Sequence, residues 1–155
     1  MRVPRRVPRI VLAAAALGLA VAGGMAQPAS AASWQQYYGM HCGGIQVDRC
    51  SWLDWDRSSG RIRAGGNTRD EPGGGDYSVA LTNVQVQVLP FGGPWTTIGG
   101  TVVGDYDGWQ PVWDAATSGT AGYWCGFQYR ALSYHRWTGA STGGEWIASD
   151  PVTFC

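Results

Sequence analysis

The chain has 155 residues, 45% hydrophobic, 12% aromatic and only 14% charged, with eleven Arg against eleven Asp and Glu and no Lys. Arg2, Arg5, Arg6 and Arg9 precede an apolar run from Ile10 to Ala22, and Ala29-Ser30-Ala31 offers small residues at both key positions of a signal-peptidase site. Residues 1–31 therefore read as a cleaved signal peptide, which leaves 124 secreted, extracellular residues with a formal charge of about −4. That balance lacks the basic footprint that nucleic acid or an anionic membrane surface requires. No later run approaches the ~20 apolar residues of a membrane span.

Residues 32–56 form an aromatic N-terminal segment, Ser33-Trp34-Gln35-Gln36-Tyr37-Tyr38 leading to Cys42, Cys50 and Ser51-Trp52-Leu53-Asp54-Trp55-Asp56. Ile45 and Val47 alternate inside the Cys42–Cys50 interval, which suggests a short strand there. Residues 57–76 shift to Ser, Gly, Arg and Asp, and Gly65-Gly66-Asn67 and Pro72-Gly73-Gly74-Gly75 are turn chemistry. This stretch reads as a mobile, Gly-rich connection.

The main sandwich strands are expected in residues 77–155. Between Asp76 and Pro90 the apolar residues sit at odd positions (Val79, Leu81) and then at even ones (Val84, Val86, Val88), a change of phase that predicts a bulge. Trp95 to Val103 and Gly108 to Asp114 are shorter strand candidates. Ala121 to Tyr134 alternates throughout and predicts one long strand, and Glu145 to Cys155 predicts the last. No sustained 3.6-residue period follows the apolar run. The fold class is all-β, a two-layer sandwich.

Four cysteines in an exported chain imply two disulfides among three connectivities. Cys42 with Cys50 and Cys125 with Cys155 is the favoured arrangement, each bridge contributing ~2–4 kcal/mol.

Tyr123-Trp124-Cys125-Gly126-Phe127-Gln128-Tyr129-Arg130-Ala131, followed by Trp146-Ile147-Ala148-Ser149-Asp150-Pro151-Val152-Thr153-Phe154, resembles the last two strands of a fibronectin type III domain. Ala121-x-Tyr123-x-Cys125 is similar to the Tyr-x-Cys corner of immunoglobulin domains, although no Trp stands 12–14 residues after Cys50. The resemblance implies an immunoglobulin/fibronectin-III-like sandwich and no particular activity.

The catalytic inventory is thin. His41 and His135 are the two histidines, and no nucleophile elbow is present. His135, between Tyr134 and Arg136, reads as a solvent-facing strand-end or loop residue. A metal site of His41, Cys42, Cys50 and His135 competes with disulfide formation, so neither a metal nor another cofactor is expected. Asp54 with Asp56, and Asp105 with Asp107, would place two acids about 7 Å apart on one side of a strand, a separation glycosidases use. Turn chemistry is the stronger explanation: Asp107-Gly108 is a turn signal between two strands, and acids at turn positions satisfy backbone donors. No enzyme activity is expected.

A free, β-prone aromatic terminus can add as a strand to a partner's sheet edge, or pair within its own domain as the first strand. Trp34, Tyr37 and Tyr38 are the expected contacts, with Trp52 and Trp55 as secondary anchors. In layout (an exported single domain, paired cysteines and a segment ahead of the domain) the chain resembles the small adaptor subunit of actinobacterial umbrella toxin particles. That resemblance implies another secreted protein as partner, a lectin-bearing or toxin subunit. Two alternatives stand beside it: an inhibitor of a secreted hydrolase using the Cys42–Cys50 loop, and a carbohydrate-binding module using Trp109, Trp113 and Trp124.

Overall fold

The period-2 patterning is realised as ten strands, with no helix among the described residues, in a computed structural model that describes residues 34–103 and 107–155. The expected signal peptide lies outside the described residues, as do Asp105 and Tyr106. The strands are β1 (Gln35–Gly43), β2 (Val47–Asp56), β3 (Arg61–Asp70), β4 (Tyr77–Leu89), β5 (Thr96–Val103), β6 (Trp113–Thr117), β7 (Ala121–Gly122), β8 (Gln128–Gly139), β9 (Gly143–Ala148) and β10 (Val152–Thr153). Two antiparallel sheets pack face to face. The first runs β1-β2-β3, and β6 and β7 share the far edge of β3. The second runs β5-β4-β8, and β9 and β10 share the far edge of β8.

The inner faces bury Leu53, Ile62, Ala64, Leu81, Val84, Val86, Tyr129, Ala131 and Phe154. Burying such a Val, Leu or Ile side chain stabilises by about 1.5–3 kcal/mol. The predicted change of phase in β4 is a bulge: Leu81 pairs with His135 and Asn83 with Tyr134, so Thr82 is the extra residue. Beside it the Leu81 amide donates to the buried carboxylate of Asp114 on β6, tying the sheets together.

Several expectations are corrected. Arg61 to Asp70, read as part of a mobile connection, is the strand between β2 and β6. Gly65 and Gly66 are buried in it, and they are glycines because of close packing. The Trp52 indole occupies the space a Gly65 side chain would need, and a Cβ on Gly66 would stand 3.0 Å from Ser133 Oγ. The interval between Cys42 and Cys50 holds no separate strand: the two cysteines face each other across the β1–β2 hairpin, with Ile45 in its turn. The long strand expected from Ala121 to Tyr134 is broken between β7 and β8, where Gly126 adopts φ 84°, a backbone conformation that suits glycine.

The break is pinned at both sides. The Tyr129 hydroxyl accepts from the Trp124 amide at 2.6 Å and donates to the Trp124 carbonyl at 3.2 Å. Cys125 is bonded to Cys155, and Cys42 to Cys50, the connectivity favoured from the sequence. The C-terminal stretch is also two strands, separated by Ser149-Asp150-Pro151.

Gly65→Ala should lower stability by about 1–3 kcal/mol, because the buried Trp52 must shift to admit a methyl group. Gly122→Ala, which enters open space, should stay within about 0.5 kcal/mol of the parent. Denaturant midpoints at unchanged slope read both effects.

Candidate functional site

The aromatic N-terminal segment is already in its own sheet. β1 pairs with β2 from Gln35↔Trp55 to Gly43↔Arg49, so the strand expected to complete a partner is docked at home. Tyr38 packs inward against Trp55 and Phe154, at ring centroid distances of 5.8 Å each. On the outer face Tyr37 packs on Trp52 at 5.2 Å, and Arg63 stacks over Trp34 at 4.4 Å. Buried Asp54 accepts from Trp52 Nε1 at 2.8 Å and from Arg63 Nε at 2.9 Å. Of the five expected contacts, Trp52 is buried, Trp34, Tyr38 and Trp55 are half-buried, and Tyr37 alone is more than half exposed. The outer edge of β1 is also blunted: its register shifts twice, and the Gly39 carbonyl accepts from the Asp150 amide at 2.7 Å.

The acids and histidines have structural partners. Asp56 accepts from Ser58 and Ser59 in the β2–β3 turn, and the Ser58 hydrogen bond, followed by that of Ser59, holds its pKa below the usual value. Of the second acidic pair, Asp105 lies outside the described residues and Asp107 is exposed. His41 is exposed, 3.7 Å from Asp150. Cys42, Asp48 and Cys50 lie close enough to share an ion, but both sulfurs are in the disulfide.

His135 is the largest departure from expectation. It is fully buried, not at a solvent-facing strand end, together with Ser51, Thr68 and Ser133. Thr68 Oγ1 lies 2.8 Å from Nδ1, and Ser133 Oγ lies 2.8 Å from Nε2. Ser133 also touches Ser51, whose hydroxyl donates to the Ile147 carbonyl at 3.0 Å. Because Ser51 spends its proton on Ile147, Ser133 must donate to Ser51 and accept from Nε2–H, and Thr68 donates to Nδ1. The result is a satisfied one-way chain linking β3, β8 and β2, with a neutral ring at its centre. Burial above all, then the Arg49 guanidinium, pushes the His135 pKa down to about 3, with the Asn67 backbone opposing. Sealed on all sides, this Ser–His contact offers no opening for a substrate.

Exposed aromatic surface gathers elsewhere. At one end of the sandwich Phe91 (85% exposed) and Trp124 (62% exposed) flank the half-buried Phe127, with centroid distances of 5.0 and 6.3 Å. Phe91 is held in the β4–β5 turn, where the Gly93 amide donates to the Pro90 carbonyl at 3.1 Å. Trp124 is fixed by Tyr129 and by its neighbour Cys125. A cleft of about 400 Å³ beside the rings is lined by Leu89, Pro90, Phe91, Gly126, Gln128 and Thr153. Sequence reasoning passed over Phe91, although an aromatic between Pro90 and Gly92-Gly93 has turn chemistry on both sides and so stands outside any core pattern. The Trp109, Trp113 and Trp124 set does not share a face. Trp124 is at this tip, Trp113 is in β6, and Trp109 stacks with Arg136 of β8.

No protein-family model and no curated protein matches the chain. Two disulfides are typical of an oxidising compartment, and no helix among the described residues is long and apolar enough to cross a membrane.

The depressed His135 pKa has a definite sign. An unfolded histidine binds its proton near pH 6.5 and the folded one near pH 3, so the stability due to the neutral ring is complete above 6.5 and is lost as pH falls toward 3. The slope in that window reaches at most about 1.4 kcal/mol per pH unit. Unfolding measured between about pH 6.5 and pH 4.5 should show this slope in the parent and a flatter one in His135→Gln, the carboxylates being common to both. Equal slopes would contradict the buried neutral ring.

Proposed function

We propose that the chain is a secreted, non-catalytic protein-binding domain whose contact surface is the Phe91–Phe127–Trp124 tip. The observation that carries this reading is that two exposed rings, Phe91 and Trp124, flank the half-buried Phe127 beside a backbone made stiff by a disulfide and a tyrosine clamp. Large aromatics dominate binding energy at protein interfaces, and a surface ordered before contact loses little entropy on binding. A solvent-facing cluster of this kind stabilises the fold little.

The immunoglobulin/fibronectin-III-like resemblance has support of its own. Val152 and Thr153 pair with Tyr129 and Gln128 at the start of β8, as the last two strands of such a domain do. Tyr129, instead of Tyr123, ties its hydroxyl to backbone five residues upstream, in the manner of a tyrosine corner. In the adaptor role implied by the layout resemblance, the tip is the contact, and β1 is the sandwich's own edge strand.

Capture of secreted proteins on immobilised domain should yield a partner that Phe91→Ser or Trp124→Ser loses by about 30-fold, the equivalent of a 2 kcal/mol hot spot, while Tyr37→Ser retains it. Equal capture by all variants would refute the tip as the contact surface.

A second reading, inhibition of a secreted hydrolase, is favoured by Ile45. It is 93% exposed in a hairpin turn closed by the Cys42–Cys50 bridge, a rigid apolar probe of the size of a protease specificity pocket. Inhibition of an extracellular protease by the purified domain that disappears in Ile45→Gly would move the assignment there.

A further inference from the structure

The outward face of the second sheet carries a row of basic and aromatic side chains separate from the tip. Along β8 the outward positions are Arg130, Leu132, Tyr134 and Arg136, alternating with buried Tyr129, Ala131, Ser133 and His135. Arg130 stacks over Trp95 at 4.2 Å and Arg136 over Trp109 at 5.0 Å. Between them Tyr134 packs on Trp146 of β9 at 5.0 Å. Trp146 and Trp109 are 48% and 43% exposed. The two arginines are six strand positions apart, about 20 Å, so the row is long.

Charge decides what fits it. Arg49, Arg63 and Arg69 each pair with a carboxylate, whereas Arg130 and Arg136, like Arg57 and Arg61, are in no ion pair among the described residues. Arg130 donates to Gln87 Oε1 at 2.9 Å instead. The outward positions of β4 that face this row, Asn83, Gln85 and Gln87, are amides, and Glu145 turns away to Arg49 at 3.0 Å. Guanidinium groups held over indole rings are pre-ordered for two-point contact with a carboxylate. The interleaved rings and amides suit the apolar faces and hydroxyls of a sugar chain. A protein partner would call for a continuous, dry apolar centre, which the amides and guanidinium groups interrupt here.

We infer that this face binds a linear anionic polysaccharide, a polymer of uronate-type sugars, with Arg130 and Arg136 pairing carboxylates and Trp146 and Trp109 supporting sugar rings. The inference is independent of the protein-binding reading, since neither Phe91 nor Trp124 takes part.

Affinity electrophoresis and calorimetry of the purified domain against polygalacturonate, with dextran as neutral polymer and polyglutamate as acidic polypeptide, test it. Polygalacturonate should bind and weaken as salt rises. Arg136→Gln and Trp146→Ala should each reduce that binding at least tenfold, and Trp124→Ala should leave it unchanged. Should Trp146→Ala fail to fold, Arg136→Gln, at an exposed position, carries the test alone. Absence of binding to polygalacturonate, equal binding to dextran, equal binding to polyglutamate, or an Arg136→Gln protein that binds like the parent would each overturn the inference.

Discussion

Ser51 of β2 and Ser133 of β8 meet between the two sheets because Gly66, the cross-strand partner of Ser51, has no side chain to keep Ser133 away. On that contact depends the chain that continues through His135 to Thr68 and ends, at its other side, on the Ile147 carbonyl. Each hydrogen bond adds only about 1 kcal/mol net, yet one left unmade in the interior costs about 1–3 kcal/mol. The chain therefore does more to dictate how the sheets face each other than to raise total stability. A sheet slipped by one residue would turn a serine or the imidazole into an apolar layer with no partner.

The same strand explains the outer surface. Gly65, next to Gly66, accepts the Trp52 indole, whose Nε1 reaches Asp54; Asp54 holds Arg63, and Arg63 carries Trp34. Two adjacent glycines thus organise a polar seam on one face of β3 and an aromatic cover on the other. With the N-terminal segment consumed in that cover, recognition falls to what stays open. That is a stiff three-ring tip at one end and the arginine and tryptophan row on the second sheet.

Much of the fold was legible where one strand carried its own pattern. The apolar alternation of β4, with its change of phase at Thr82, and the spacing of the four cysteines are local facts. β3 was not legible, because Ile62 and Ala64 are its only apolar side chains beyond the glycines and its neighbour Trp52 supplies the missing surface. His135 read as exposed because burial of its ring relies on hydroxyls from two other strands and on a glycine in one of them, none of which adjoins it in sequence. Trp34, Tyr37 and Tyr38 look alike in sequence whether docked or free. Phe91 and Trp124 become one site only when the β4–β5 and β7–β8 turns meet, a contact across more than thirty residues of chain.

Nitrogen-15 NMR of the His135 ring tests the inter-sheet chain most directly. At about pH 5, well above the depressed pKa near 3, the ring should be neutral and in the Nε2–H form, with a slowly exchanging ring proton donated to Ser133. A charged ring at that pH, or a neutral ring carrying its proton on Nδ1, would contradict the sealed, one-way chain from Thr68 to Ile147.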